Sequence, residues 1–173
     1  MQIVRPTDKE FDTNSYQNRY IQAVSGDDAL LSLKENLLAV ETFFKEIPEK
    51  KLLYSYAESK WNIKEILAHL IDTERILTYR ALSMARGEQN SLLGFDENVY
   101  AANSNMGKQS LRSLLLQFKA QRKSTIMMFK SFGKRELGRM GKANNLPTNA
   151  RVLAWFIAGH ELHHINIIKE RYL

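Results

Sequence analysis

Cysteine is absent from this sequence, which excludes disulfide scaffolds, cysteine-rich zinc sites, thiol nucleophiles and iron–sulfur clusters together. Only 3 prolines and 8 glycines interrupt 173 residues, and the long periodic stretches between them favour helices. No apolar run approaches the roughly 18 residues of a membrane span. The opening MQIVRPTDKEFD lacks the features of a signal peptide. These absences predict a soluble cytoplasmic protein with no membrane partner. No Ser–His–Asp spacing and no glycine-rich phosphate loop is recognisable, so covalent catalysis and nucleotide binding have no support. Internal repeats, low-complexity tracts and linkers are also missing. What is present is ordinary globular composition, 44% hydrophobic and 25% charged, in a length suited to one domain over residues 1–173.

Charge is uneven along the chain. The net charge is +6, but Lys108 to Lys142 holds 10 basic residues against the single acid Glu136, a local +9. Such a segment can attract nucleic acid, an acidic membrane surface or an anionic small molecule, or simply form a solvated helix face. No nucleic-acid-binding motif accompanies it, so nucleic acid is not the expected partner.

Four helical stretches stand out. The first 26 residues are polar and read as an arm, with Tyr16 and Tyr20 as anchors. Asp27 or Asp28 caps a helix carrying Leu30, Leu31, Leu37, Leu38, Phe43 and Phe44, stopped by Pro48. A second begins near Trp61, where Asn62 and Glu65 have capping-box spacing, and ends at Gly87. Residues 88–109 form a loop with one short helix around Glu97–Ala102. Ser110 opens a third long helix whose apolar positions include Leu114, Phe118, Ile126, Met127 and Phe129. A polar connector with Gly133, Gly138 and Gly141 follows, and Thr148 after Pro147 opens the last helix. With no convincing strand alternation, the economical architecture is an all-α antiparallel four-helix bundle.

The four histidines are the informative residues. His160, His163 and His164 fall in GHELHH on the last helix. At about 100° per residue, His164 lies some 40° from His160 and one turn above it, while His163 swings about 60° the other way. Leu153, Phe156, Ile157 and Ile167 cluster around the His160 direction, so His160 points into the bundle. An i, i+4 histidine pair can present two imidazoles to one metal ion. His69, on the second helix, borders the apolar stripe and can reach the same interior. Asp72, one turn on, is placed to orient its ring. A lone inward histidine is ordinarily a core residue satisfied by a hydrogen bond; two on one face leave core and metal readings comparable. The pattern HExHH breaks the HExxH spacing of metalloproteases, so that reading is rejected.

KWNIKEILAHLIDTERILTYRAL (60–82) and AWFIAGHELHHINIIKERYL (154–173) resemble the DinB-like superfamily in its YfiT-type branch. The shared positions are Trp61, Lys64, Glu65, His69, Asp72, Glu74 and Arg75 early, and Gly159, His160, Glu161, His163, His164, Glu170, Arg171 and Tyr172 late. Asn62 stands where that family usually has serine, which exchanges one cap for another. The resemblance implies an up-down-down-up four-helix bundle, a homodimer, and a divalent metal, zinc or nickel, held by His69, His160 and His164. It leaves His163 outside the metal shell, with a substrate-side role. The family carries the label of metal-dependent hydrolases, and relatives act as S-transferases or isomerases with low-molecular-weight thiols.

Around this set, Trp61 and Trp155 read as core or interface anchors, and Glu74 and Arg75 as structural ion pairs. The loop LLGFDENVY (92–100) either covers the metal mouth or is a packed connection. The leading functional expectation is a metal-dependent enzyme on a small-molecule substrate, activating water as a hydrolase or a low-molecular-weight thiol as a transferase. The alternative is a non-catalytic nucleic-acid-binding or interaction protein with a structural metal, which a steep salt dependence of nucleic-acid binding would reveal.

Overall fold

The computed structural model describes all 173 residues. Seven α-helices and one small hairpin follow in the order α1 (Tyr16–Ala23), α2 (Ala29–Glu46), α3 (Ile63–Arg86), α4 (Glu97–Ala102), α5 (Leu111–Lys130), α6 (Lys134–Leu137), β1 (Gly141–Ala143), β2 (Leu146–Thr148) and α7 (Ala150–Arg171). The long helices α2, α3, α5 and α7 form the bundle.

Local chemistry sets where these helices begin. Asp28 accepts from Leu30 N at the head of α2, and Ser110 accepts from Ser113 N at the head of α5. Asn62 and Glu65 complete a reciprocal capping box that starts α3, and Gly87 ends that helix at φ 97°. The last helix starts later than its sequence suggests. Asn149, not Thr148, caps α7 by accepting from Val152 N, because Thr148 is taken up by β2. The polar connector is not featureless either. It holds α6 and a two-stranded antiparallel hairpin, which corrects the strand-free expectation. Asn144 and Asn145, with φ of 52° and 61°, make the turn that suits a tight hairpin.

Cross-helix bonds show the helix directions. Arg75 bonds Gln117 and Gln121 bonds Thr78, so α3 and α5 run parallel. Asn36 reaches Ala158 O, and Lys51 just beyond α2 reaches Tyr172 O, so α2 and α7 run parallel. Tyr172 bonds Trp61 O and His69 meets His160, so α3 and α7 are antiparallel. The bundle is therefore up-down-down-up, with α2 and α3 at opposite corners.

Two apolar clusters fill it. One of 25 buried residues lies toward the hairpin, and one of 17 lies toward the C-terminal end of α7. Between them runs a buried polar belt of Glu74 (α3), Arg122 (α5) and Glu161 (α7), each no more than 3% exposed. Not every apolar residue at helical spacing joins these clusters. Leu38 and Met127 are 70% and 71% exposed, on the outer faces of α2 and α5. No helix is long and apolar enough to cross a membrane.

Candidate metal centre

The capping box fixes the phase of α3, and that phase turns His69, Thr73, Leu77 and Arg80 toward one cavity. Their spacings of four, four and three residues keep them on one stripe. On α7, His160 is 6% exposed, while His69 and His164 are half-buried. His69 Nε2 and His164 Nε2 each lie 3.1 Å from His160 Nε2. The ligand atoms of the three rings all fall within 4.8 Å of one another.

Burial holds these rings neutral. It pushes His69 down to about 4 and His164 to about 3, the latter helped by the neighbouring His69, and drives His160 well below its ordinary value. A neutral imidazole keeps a free lone pair, which is the form a metal takes. The two separations from His160 fit as well. Two nitrogens bound at about 2.0–2.1 Å to one zinc ion stand roughly 3–3.4 Å apart at ordinary bond angles. A ring nitrogen offers one proton or one lone pair in its plane, so a hydrogen bond satisfies His160 Nε2 toward only one of its two neighbours. A shared cation satisfies all three. The donor set therefore fits a divalent ion.

The surrounding groups differ in part from expectation. Asp72 does not orient His69. It pairs with Arg75 at 3.0 Å, and Thr73 Oγ1 instead lies 3.4 Å from His69 Nδ1. Helical side chains lean toward the N-terminus, so the residue four positions on covers the ring better than the one three positions on. Trp61, half-buried, packs against the apolar cluster at the C-terminal end of α7 and does a second job as well. It lies across His69 with ring centres 4.7 Å apart and lines the cavity. Trp155 is fully buried, and its indole N–H donates to Ile3 O and Val4 O, tying down the N-terminal arm. His163 lies outside the three-nitrogen cluster, edge-on to Tyr20 at 5.4 Å. Tyr20 also meets His160 edge-on at 5.3 Å, so α1 closes one side of the site. Gly159 permits this crossing, because a Cβ there would sit 1.8 Å from Tyr20 O.

The cavity beside the histidines measures about 370 Å³, with Tyr16, Phe156, Arg80 and Phe95 among its walls. That size suits a small molecule. The loop 92–100 supplies Gly94, Phe95 and Glu97 to it, so the segment walls the cavity. Leu92 N donates to Lys142 O and Asn144 N donates to Leu92 O, so the hairpin fastens that wall in place.

Sequence reasoning missed Arg122. Its guanidinium donates to both oxygens of Glu74 at 2.9 Å and to Glu161 Oε2 at 2.5 Å, directly behind His160. Burial disfavours the Arg122 charge, but the two carboxylates outweigh burial and hold the guanidinium firmly protonated. Burial also raises Glu161, against the pull of Arg122. The available signal was position: Glu74, Arg122 and Glu161 each sit on the apolar stripe of their own helix. The basic run 108–142 accordingly presents no single outward face. Arg122 is interior, Arg139 donates to Ala85 O, and Lys119 faces Glu41.

Comparison with known proteins places the family and the fold. Residues 32–168 match the family model described as DinB superfamily. The fold is similar to that of YfiT from Bacillus subtilis, described as a probable metal-dependent hydrolase with an unusual four-helix bundle topology. The TM-score is 0.71 at 14% sequence identity, covering 95% of each chain. No curated protein matches the sequence.

Proposed function

The chain belongs to the DinB superfamily, and from that premise we propose that it is a metal-dependent enzyme whose His69, His160 and His164 hold one divalent ion, zinc or nickel. The observation that carries this reading is the convergence of three neutral Nε2 atoms beside a cavity of small-molecule size. A structural zinc site is normally closed by four protein ligands, whereas three leave a position for substrate. The description of YfiT as a probable metal-dependent hydrolase supports the same reading.

Bound there, a divalent ion supplies Lewis-acid activation of water or of a low-molecular-weight thiol at neutral pH. The chain's own residues prepare the site. Thr73 holds the His69 ring through Nδ1, leaving Nε2 to face the ion. Trp61 and Tyr20 exclude bulk water on two sides. His163, neutral through partial burial, stands at the cavity wall to accept a hydrogen bond or a proton from substrate.

Hydrolysis and thiol transfer are separated by a screen of the metal-loaded, untagged protein. Activated esters and amides test the first, and electrophiles supplied with low-molecular-weight thiols test the second. Turnover that disappears on chelation and in His160→Ala supports the reading; turnover that survives both refutes it. We extend the proposal to assembly as a homodimer, which light scattering from a 20 kDa particle across micromolar concentrations would contradict.

A further inference from the structure

This fold buries two arginines and treats them differently. Arg122, 1% exposed, is bracketed by Glu74 and Glu161. Arg80, 5% exposed, takes part in none of the chain's ion pairs. Its one hydrogen bond to protein runs from Nη2 to Leu93 O at 2.6 Å. A guanidinium carries five N–H donors, so most of its capacity is unused by the protein. A buried charge without a counter-charge is strongly unfavourable. Arg80 lies in the wall of the histidine cavity, beside Phe95 at 5.8 Å.

We propose that Arg80 is the anion-recognition residue of this cavity, and that the substrate is a small carboxylate-bearing molecule with an apolar body. The proposal rests on reading the histidine cavity as an active site. Arg80 is the lone arginine or lysine among the lining residues, and Glu97, the lone acid there, is exposed and does not pair with it. One guanidinium balances the single charge of a carboxylate and matches its planar fork. A phosphate dianion would call for a second cation. Tyr16, Tyr20, Phe95 and Phe156 line the space and suit an apolar body. His69 and Arg80 stand roughly 16 Å apart along the α3 axis. The arginine side chain leans back toward the N-terminus and narrows that gap. The ligand is therefore elongated, with its carboxylate at Arg80 and its reacting group at the histidines.

The test uses phenylacetate and its neutral amide as probes on the full chain, both metal-loaded and after chelation. Binding is followed by NMR, including the Arg80 Nε–H resonance. The acid is expected to bind roughly tenfold or more tightly than the amide in both forms, and to shift that resonance. Arg80→Gln should bring the ratio near one, and Arg80→Lys should retain only part of it. A role confined to bracing Leu93 would move neither the ratio nor the resonance. Equal affinities in the wild type, a preference that survives Arg80→Gln, acid binding that leaves the Arg80 resonance unmoved, or no acid binding at any soluble concentration would each overturn the proposal. If Arg80→Gln fails to fold, the wild-type resonance decides. Metal titration is scored separately: acid selectivity without zinc binding refutes the metal reading alone, and zinc binding without selectivity refutes this one alone.

Discussion

His69 and His160 are 91 residues apart in sequence, yet their Nε2 atoms lie 3.1 Å apart across the antiparallel contact of α3 and α7. His164 stands at the same distance from His160, one turn along. Three ring nitrogens meet here in a group that could hold the proposed ion. Replacing His69, His160 or His164 by Ala should each bring metal content near zero per chain. His163→Ala should leave most of it. Elemental analysis of untagged protein checks this, and equal loss at His163 would contradict the assignment.

Metal removal should not unfold the bundle. The clusters of 25 and 17 buried residues stand on apolar packing that the histidines do not supply. Circular dichroism after chelation should retain most of the helical signal while turnover is lost. Helices that melt with the metal would make the ion structural.

The belt behind His160 makes a sharper stability prediction. Arg122→Met leaves Glu74 and Glu161 buried without their cation, and should cost about 3–5 kcal/mol. Adding Glu74→Gln and Glu161→Gln to that variant should recover part of the loss. Denaturant unfolding of the single and triple variants measures both. A single variant of wild-type stability would show that the belt contributes little.

Gly159→Ala would place a methyl group 1.8 Å from Tyr20 O, which forces α1 away from α7. A loss of about 1–3 kcal/mol is expected, as for overpacking elsewhere in a core. Thermal unfolding checks it, and an unchanged midpoint would contradict the close crossing.

Acid should destabilise the metal-free protein in a defined window. Folding lowers His69 from 6.5 to about 4 and His164 to about 3, so the unfolded chain takes up protons first as pH falls. Stability is therefore fully present above pH 6.5 and is lost as pH drops toward 4 and then 3, by up to roughly 1.4 kcal/mol per pH unit for each histidine. The slope of unfolding free energy between pH 7 and 4 should flatten in His69→Ala, measured after chelation. An equal slope in wild type and variant would show that His69 is not held neutral.

Much of this was legible in the sequence, and the exceptions share a physical cause. Asn62, Glu65, Ser110 and Gly87 mark helix ends because a cap acts within a few residues of itself. Leu38 and Met127 misled because periodicity identifies a face, while the partner that buries it lies elsewhere in the chain. The hairpin escaped notice because its three-residue strands are too short to alternate. Among the candidate site residues, His160 and His164 stood out by their i, i+4 spacing, and His69 joined them through the DinB-like resemblance. Thr73 did not stand out, since choosing between it and Asp72 takes side-chain direction as well as helix phase. Arg122 was hidden in a basic run that looked like a solvated face, and Trp155 holds the N-terminal arm through backbone carbonyls that no sequence pattern displays.

X-ray absorption of the metal-loaded, untagged protein tests the central claim most directly. One ion per chain bound by three imidazole nitrogens is expected, at about 2.0–2.1 Å if the ion is zinc, with the remaining coordination supplied by exchangeable light atoms. Two or fewer imidazoles, or a shell closed by a fourth protein ligand, would contradict it.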